Sequence, residues 1–238
     1  MRRDWRGGAG DRAVLFDLDD TLYPQRRFVL SGFAVASRHL GVVAGRPTRE
    51  LFRTLTGEFR RGQRGREFQS CLHRLGLPES TVATLVALVR AHDPRLRLPR
   101  ATRDALEALR ADWRIGVVTN GDPAIQARKI RALGVAPLVD EIVYAAEYGS
   151  GGGKPDPEPF EAALARLGVP PHRAVFVGDS EICDVQGATA VGLHTVRVSH
   201  SRAGGAPDTQ ADALVRSMRE VPTVVARLVE SDWSRDVA

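Results

Sequence analysis

Three carboxylates follow a short apolar run, Ala13–Phe16, and stand within four residues of one another: Asp17, Asp19 and Asp20. Carboxylates this close repel one another, so they need a cation or unusual protonation to be tolerated. Mg²⁺ is a hard ion that takes carboxylate, carbonyl and water oxygens, and it is the simplest cation to meet this need. On this motif alone, an acidic turn that caps a helix is an equally good interpretation.

Two further motifs could bind a phosphate. Thr119 and Asn120 precede Gly121 and a helical pattern, so a hydroxyl and an amide stand at a helix start, where backbone N–H groups face anions. Lys154 follows the glycine stretch Gly151–Gly153 and offers one ammonium on a loop. Together they could hold the oxygens of a phosphoryl group and offset their charge.

Lysine is rare in this chain, because it occurs only at Lys129 and Lys154 and the other positively charged side chains are arginines. An ammonium is a compact point charge, whereas a guanidinium is a planar fork. Lysine at the glycine-rich turn therefore indicates that a point charge is needed at Lys154. Chance at a single position is the alternative.

A fourth motif supplies more carboxylates. Asp179 follows the run that ends at Gly178, and Asp184 lies five residues further on. In open parallel sheets, ligands gather at the carboxyl ends of the strands, near the point where the strand order reverses. All four motifs stand at, or just beyond, the ends of strand-like runs, so we expect them to form one site.

The runs that must position these motifs are short and mostly rich in Val and Ile: Ala13–Phe16, Ile115–Val118, Ile142–Ala145, Ala174–Val177 and Thr195–Val198. Such runs suit strands that are buried on both faces of a parallel sheet. Helical patterns separate them, one from Asp122–Pro123 to Gly134 and another from Asp156–Pro157 to Gly168. The alternation predicts an α/β fold with a doubly wound parallel sheet.

One long insert breaks the alternation. It contains helical patterns, such as Thr81–Arg90, but no convincing strand, and it is too long to be a loop. We therefore predict a second, smaller domain that is α-helical. The predicted bounds are 12–24 and 99–230 for the α/β core, 25–98 for the helical domain, and 1–11 and 231–238 for loose termini.

The composition argues against a disordered, a membrane-spanning or a nucleic-acid-binding protein. The 238 residues are 43% hydrophobic and 26% charged, which is ordinary for a globular protein and wrong for a disordered one. No apolar run approaches the ~18 residues of a membrane span, and no signal-like stretch follows Met1, so we expect a cytoplasmic protein without a membrane partner. The net charge is +5, but the arginines are dispersed, so we expect no nucleic-acid partner. Two cysteines, Cys71 and Cys183, are expected as free thiols.

The four motifs in this order resemble the haloacid dehalogenase superfamily, in its magnesium-dependent phosphatase branch. The resemblance covers about Ala13 to Val229, and the position of the insert matches members with a helical cap between the first and second motifs. It implies a Rossmann-like core with a cap domain. The stretch Thr119–Asp122 with Gln126 and Lys129 further resembles N-acylneuraminate 9-phosphatases and pyrimidine nucleotidases.

The resemblance implies a role for each motif residue. Asp17 would attack phosphorus and form an aspartyl-phosphate. Asp19 would protonate the leaving alcohol and then take a proton from the hydrolytic water. Thr119 and Asn120 would hold phosphoryl oxygens, and Lys154 would offset charge on the nucleophile and the phosphate.

The resemblance also implies a Mg²⁺ site. Its ligands would be the Asp17 side chain, the backbone carbonyl of Asp19 and Asp179, while Asp184 would act through water or orient Lys154. The glycine run before Lys154 is longer than the usual lead-in of the family. The implied substrate is a small phosphorylated metabolite, such as a sugar phosphate or a nucleotide.

Three other functions fit parts of this pattern. A 2-haloacid dehalogenase uses the same nucleophile but needs neither a second aspartate nor a metal, so Asp19 argues against it. A phosphosugar mutase uses the same machinery with a sugar as acceptor, and it stays open. A non-catalytic phosphoryl receiver has similar acidic residues, but it has no use for an inserted helical domain.

Two groups of residues around the motifs have weaker signals. A basic segment of the helical domain is either a solvated loop or an anion-attracting mouth, and it contains Arg60, Arg61, Arg64 and Arg66. Tyr23 and Phe28 follow the first motif and could line a pocket or pack at a hinge. The sequence does not indicate the oligomeric state.

Overall fold

The structure is a computed structural model, and it describes residues 11–62, 65–149, 152–199 and 208–236. The described chain divides into two compact units. Gln25–Leu96 form a helical unit, and the described residues before and after it form an α/β unit. The domain bounds predicted from the sequence, 25 and 98, lie close to this division.

Strands and helices alternate outside the helical unit. The elements in chain order are β1 (Ala13–Phe16), α1 (Arg26–Ala44), α2 (Thr48–Arg60), α3 (Glu67–Leu75), α4 (Thr81–Ala91), α5 (Arg100–Leu109), β2 (Arg114–Thr119), α6 (Pro123–Leu133), β3 (Glu141–Tyr144), α7 (Glu158–Leu167), β4 (Ala174–Gly178), α8 (Gly187–Ala190), β5 (His194–Val198), β6 (Ala213–Val215) and α9 (Val221–Asp236). Short 3-10 turns lie at Ala136–Leu138, Ala145–Glu147 and Pro171–Arg173, and a π-helical turn spans Glu181–Gln186.

The strands form one parallel sheet in the order β3-β2-β1-β4-β5-β6. This confirms the doubly wound α/β fold predicted from the sequence. The chain winds outward from β1 in one direction and from β4 in the other, so the strand order reverses between these two strands. Phe16, the last residue of β1, stands beside Val117 on one side and Val177 on the other, so the carboxyl ends of β1, β2 and β4 lie within two residues of one another along the sheet.

The strand sequences suit this sheet because helices cover it. All residues of β1 and β4 are buried, as the continuous apolar runs require. Leu15 and Phe176 belong to a core cluster with Phe160 and Leu164 of α7, and the rings of Phe160 and Phe176 meet edge to face at 5.0 Å. At Gly116 on β2, a Cβ would come within 2.5 Å of the Leu15 side chain, so any larger residue there would force this core side chain to shift.

The ends of α6 follow from its sequence. The Asp122 carboxylate accepts hydrogen bonds from the backbone N–H groups of Ala124 and Ile125, at 2.9 and 3.2 Å. Pro123 occupies the first helical position, and Gly134 ends the helix with φ +65°. This confirms the predicted limits of the helix that follows β2.

The helical unit has an apolar core of its own. The buried members come from all four helices of the unit: Phe33, Ala36, Leu40, Leu51, Leu55, Cys71, Leu72 and Leu85. Phe33 is one of these residues, and its ring meets the rings of Phe59 and Phe68 edge to face. The apolar residues of α4 recur at helical spacing, which agrees with the helix predicted over Thr81–Arg90.

Two features differ from the sequence predictions. The edge strand β6 is absent from the five predicted strands, because three residues with no Val or Ile run carry too little pattern. Residues 231–236, which the sequence analysis placed in a loose terminus, have a helical backbone that continues α9, and no glycine or proline follows Pro222 to stop that helix. Residues 1–10 and 237–238 lie outside the described residues.

The structure bears on the predictions that the chain has no membrane span and that both cysteines are free thiols. In the described part of the chain, no helix is long and apolar enough to cross a membrane. Cys71 is buried and Cys183 is partly buried, and both are free. The cytoplasmic location and the lack of a nucleic-acid partner stay predictions.

Candidate active site

Asp17 is positioned by the switch point of the sheet. It follows β1 directly, and its backbone N–H donates to the carbonyl of Val177 on β4 at 3.0 Å. The side chain is almost fully buried, because the backbone there still runs between β2 and β4. Asp20 then adopts a left-handed conformation with φ +56°, which turns the chain sharply after Asp19.

Lys154 bridges two carboxylates from different strand ends. Its ammonium lies 2.8 Å from Asp17 Oδ1 and 2.7 Å from Asp184 Oδ1, and it is also buried. Burial alone lowers the pKa of Lys154, but the two carboxylates outweigh burial and raise it above its ordinary value. The ammonium is therefore a permanent positive charge shared by Asp17 and Asp184.

A third carboxylate completes an acidic cluster. Oxygens of Asp17, Asp179 and Asp184 all lie within 4.8 Å of one another, which could hold a metal ion. Burial raises the pKa of Asp17 to about 7, with Lys154 opposing it and Asp184 reinforcing it. Burial and then repulsion by Asp184 raise the pKa of Asp179 to about 6. Burial is therefore the main cause of both raised pKa values, and the repulsion between neighbouring carboxylates adds to it.

Asp184 is held in place by the turn after β4. Its Oδ2 accepts from the backbone N–H of Ser180 at 2.9 Å, and its Oδ1 faces Lys154. Gly178, the last residue of β4, makes room for it, since a Cβ there would come within 2.4 Å of the Asp184 side chain. The prediction that Asp184 orients Lys154 agrees with this contact.

The Lys154 loop is fastened to the end of β2 by a reciprocal pair of hydrogen bonds. Asn120 Oδ1 accepts from the Lys154 N–H, and Asn120 Nδ2 donates to the Lys154 carbonyl, both at 2.8 Å. Gly153 has φ +74° and lies so close that a Cβ would come within 2.7 Å of Asn120 Oδ1. Asn120 therefore positions the loop, and its predicted contact with phosphate stays a prediction. Gly151 lies outside the described residues.

Asp19 has a separate set of partners. Lys129 Nζ contacts both of its oxygens, at 2.9 and 2.7 Å. Gln126 Nε2 donates to Oδ2 at 2.9 Å, and the Tyr23 hydroxyl donates to Oδ1 at 2.6 Å. Burial, and then the Asp19 carboxylate, raise the pKa of the Tyr23 hydroxyl, which therefore keeps its proton.

Gln126 also connects Asp19 to the end of β2. Its Nε2 lies 2.6 Å from Thr119 Oγ1 and 2.6 Å from the Asn120 carbonyl. The Asp19 carboxylate and the Asn120 carbonyl can only accept, so the amide nitrogen must face them. The amide has two N–H protons for these three acceptors, so Asp19 Oδ2, Thr119 Oγ1 and the Asn120 carbonyl share them. The Thr119 hydroxyl has a proton of its own that it can donate to a ligand.

Comparison with known proteins identifies the family. Residues 12–192 match the model of the haloacid dehalogenase-like hydrolases. The chain belongs to this family. The hydrolase match favours an enzyme over a phosphoryl receiver, and it confirms the resemblance of the four motifs. The finer resemblance to N-acylneuraminate 9-phosphatases stays a prediction.

The relatives include two phosphatases. The chain is 32% identical over 201 residues to a glyceraldehyde 3-phosphate phosphatase of Methanopyrus kandleri, which covers 80% of this chain and 85% of that one. It is 32% identical over 176 residues to a phosphoserine phosphatase of Thermus thermophilus, which covers 74% and 68%. A 2-haloacid dehalogenase of Pseudomonas syringae is similar in structure, with a TM-score of 0.63, 25% identity and coverage of 91% and 98%. Because the fold is common to both chemistries, the site must distinguish them.

The structure thus brings all seven predicted site residues to the strand ends of the α/β unit, in two groups. One contains Asp17, Lys154, Asp179, Asp184 and Asn120, and the other contains Asp19 and Thr119. Sequence reasoning used Gln126 and Lys129 only for a family resemblance and gave Tyr23 a pocket or hinge role. The rarity of lysine was the signal that could have found Lys129, because both lysines of the chain lie against aspartates here.

The other singled-out residues belong to the helical unit. Arg60, Arg61 and Arg66 are exposed, whereas Arg64 lies outside the described residues. Arg61 pairs with the buried carboxylate of Glu58 at 2.6 Å, so part of this basic segment has a local partner. Phe28 packs against the ring of His92, with centroids 5.1 Å apart.

Proposed function

We propose that this protein is a magnesium-dependent phosphatase that hydrolyses a small phosphate monoester through an aspartyl-phosphate on Asp17. The observation that carries the proposal is the acidic cluster of Asp17, Asp179 and Asp184, whose oxygens lie within 4.8 Å of one another. It lies at the switch point of the sheet, where α/β enzymes bind their ligands. The two relatives that are named phosphatases support the same reaction class.

The donor set fits Mg²⁺. Carboxylate oxygens are hard ligands, and burial, the main cause of the raised pKa values of Asp17 and Asp179, disfavours their charged forms, which a divalent cation would stabilise. The ligands would be Asp17, the backbone carbonyl of Asp19 and Asp179, with Asp184 beside them. When bound, Mg²⁺ supplies positive charge that offsets the repulsion between the phosphate and the carboxylates.

The protein groups would divide the reaction between them. An Asp17 oxygen forms a bond to phosphorus while the bond from phosphorus to the alcohol oxygen breaks, and Asp19 gives that oxygen a proton. Water then attacks phosphorus, its proton returns to Asp19, and Asp17 is released together with phosphate. Lys154 holds Asp17 in place throughout and offsets the charge of the phosphoryl group.

Two groups at the end of β2 complete this proposal. The Thr119 hydroxyl can donate to a phosphoryl oxygen, since it has a proton of its own. Asn120 fixes the Lys154 loop, and through it the distance between the ammonium and Asp17. A phosphosugar mutase would use the same groups with a sugar hydroxyl in place of water.

The relatives suggest the first substrates to assay. Glyceraldehyde 3-phosphate and phosphoserine, the compounds in their names, are three-carbon monoesters whose leaving group is an alkoxide. An alkoxide is a poor leaving group without a proton, which suits a site with an acid at Asp19. We therefore propose small alkyl phosphates as the substrate class.

The test is a panel of these two esters, sugar phosphates, nucleotides and 2-haloacids, assayed with Mg²⁺ and with EDTA. We expect phosphate release from at least one alkyl ester with Mg²⁺ and its loss on chelation. Undiminished activity in EDTA contradicts the metal assignment. Faster halide release from haloacids than phosphate release from any ester supports a dehalogenase. Isomerisation of a sugar phosphate without net phosphate release supports a mutase.

A further inference from the structure

The Asp19 carboxylate accepts hydrogen bonds from an unusually large number of side chains for a residue on a turn. Three side chains donate to its two oxygens: Lys129 at 2.9 and 2.7 Å, Gln126 at 2.9 Å and Tyr23 at 2.6 Å. All three donors are buried, with 4%, 2% and 1% of their surface exposed, whereas the Asp19 side chain is 19% exposed. The carboxylate is therefore held by buried donors, while part of the Asp19 side chain stays exposed.

Two of the three donors to Asp19 come from one helix. Gln126 and Lys129 lie three residues apart on α6, so they point from the same face of that helix. The Asp122 cap and the preceding end of β2 fix where α6 begins. Placing an ammonium at a buried helix position is costly unless it is paired, so its place against Asp19 indicates a specific role.

We propose that Lys129, assisted by Gln126 and Tyr23, is a positioning residue that fixes the Asp19 carboxylate for proton transfer to and from the leaving group and the water. The proposal rests on the proposed function, because it gives Lys129 a role that acts through Asp19. A carboxylate with one donor can rotate about its Cβ–Cγ bond. An ammonium that contacts both oxygens removes this freedom and sets the plane of the carboxylate.

The geometry also ties the acid to the phosphate contact. Gln126 Nε2 contacts Asp19 Oδ2 and Thr119 Oγ1 together, so the proton-transfer group and the predicted phosphate-binding hydroxyl share one support. A displacement of α6 would move both. Misplacement of a reacting group by about 1 Å can cost about 10²-fold in rate, which sets the size of the expected effect.

The experiment compares Lys129→Met, Lys129→Arg, Asp19→Asn and the double variant of Lys129→Met with Asp19→Asn. The probes are glyceraldehyde 3-phosphate, whose leaving group needs a proton, and p-nitrophenyl phosphate, whose leaving group does not. Arg131→Met is the matched control, because Arg131 is an exposed basic residue on the same helix. Thermal unfolding is measured for every variant, and Tyr23→Phe, which removes a single donor atom, serves if Lys129→Met does not fold.

We expect Lys129→Met to lower kcat for the alkyl ester by about 10²-fold with little change in KM, and to affect the aryl ester less. Lys129→Arg should recover part of the loss, and Arg131→Met should show none. In the Asp19→Asn background, Lys129→Met should cost nothing further, since a positioning residue acts only through the group that it holds.

Three results would overturn the proposal: an unchanged kcat in Lys129→Met, equal losses for both esters, or losses that multiply in the double variant. The last two would assign Lys129 a purely structural role. Wild-type activity in Asp19→Asn is a different failure, because it removes the proposed function of Asp19 and the proposal with it. Tyr23→Phe should give the same pattern as Lys129→Met with a smaller loss, and a loss that is equal for both esters contradicts the proposal in that variant too.

Discussion

Both units of the molecule bury carboxylates, but they balance them differently. In the helical unit, Glu58 accepts from two arginines, Arg61 at 2.6 Å and Arg74 at 3.0 Å. Both guanidinium groups remain more than half exposed to solvent. In the α/β unit, Asp17 and Asp184 share the buried ammonium of Lys154, and Asp179 lies within 4.8 Å of them.

Burial of a carboxylate therefore does not by itself indicate a functional site. Two arginines form ion pairs with the carboxylate of Glu58, and the pair with Arg74 connects α2 to α3. At the strand ends, three carboxylates lie close to the single ammonium of Lys154, and burial, reinforced by repulsion from Asp184, raises the pKa values of Asp17 and Asp179. A divalent cation would stabilise the charged forms that burial disfavours.

The largest effect that separates the two regions is expected for Asp17→Asn. Asparagine keeps the shape of the side chain but cannot attack phosphorus, so we expect kcat to fall by more than about 10⁴-fold. The measurement is phosphate release at saturating substrate, with circular dichroism to show that the variant is folded. Residual turnover within about tenfold of wild type would exclude Asp17 as the nucleophile.

The next effect is expected for Asp19→Asn. Loss of one general acid or base costs about 10² to 10⁴-fold in rate, and the cost should be larger for alkyl than for aryl phosphates. The measurement is kcat for a pair of esters that differ only in the pKa of the leaving alcohol. Equal losses for the two esters would count against Asp19 as the acid.

Binding of Mg²⁺ should depend on pH in the α/β unit. Protons compete with the metal at Asp17, with its pKa raised to about 7, and at Asp179, with its pKa raised to about 6. Affinity for Mg²⁺ should therefore rise from about pH 5 to about pH 8, as both groups lose their protons. Both groups bind protons more tightly than an ordinary carboxyl, so the metal-free protein should lose stability over the same interval.

The measurement for this pH dependence is the shift in melting temperature on adding Mg²⁺, taken across the interval. Asp179→Asn should flatten the dependence, whereas a change in the helical unit should leave it intact. A Mg²⁺ effect that is the same at both ends of the interval would show that these carboxyl groups do not bind the ion.

A smaller effect is expected for Glu58→Gln, which removes the two ion pairs of Glu58 in the helical unit. The variant loses two charged hydrogen bonds, but Arg61 and Arg74 can turn to solvent, so we expect a loss of about 1–3 kcal/mol in the free energy of unfolding. Glu50→Gln is the matched control on α2, where the exposed pair with Arg46 should contribute less than about 1 kcal/mol. Denaturant unfolding measures both losses. An altered Mg²⁺ response in Glu58→Gln would contradict the separation of the two regions.

The sequence was sufficient for the features that depend on local pattern. Val- and Ile-rich runs predicted five strands, and the cap at Asp122 with the stop at Gly134 predicted α6. Motif order predicted which carboxylates meet, because parallel strands bring their carboxyl ends to one edge. The edge strand β6 was too short to have a pattern of its own.

Side-chain partners within the site were beyond local pattern. The apolar residues of α6 predicted the helix and its buried face. They did not predict that Gln126 and Lys129, which are polar, would also be buried. The residue type of Asn120 led to its prediction as a phosphate ligand. Its hydrogen bonds to the Lys154 backbone depend on how two loops pack together, which the sequence does not indicate. Contacts of this kind require the tertiary structure, since the partners lie far apart in the sequence.

The central claim is that Asp17 becomes phosphorylated during turnover, and chemical trapping tests it most directly. The enzyme is mixed with p-nitrophenyl phosphate and Mg²⁺, quenched in acid and reduced with borohydride, which converts an aspartyl-phosphate to homoserine. We expect homoserine at position 17 by peptide mass spectrometry, and none in EDTA or in Asp17→Asn. Turnover without a modified residue at position 17, or modification of another residue, would contradict it.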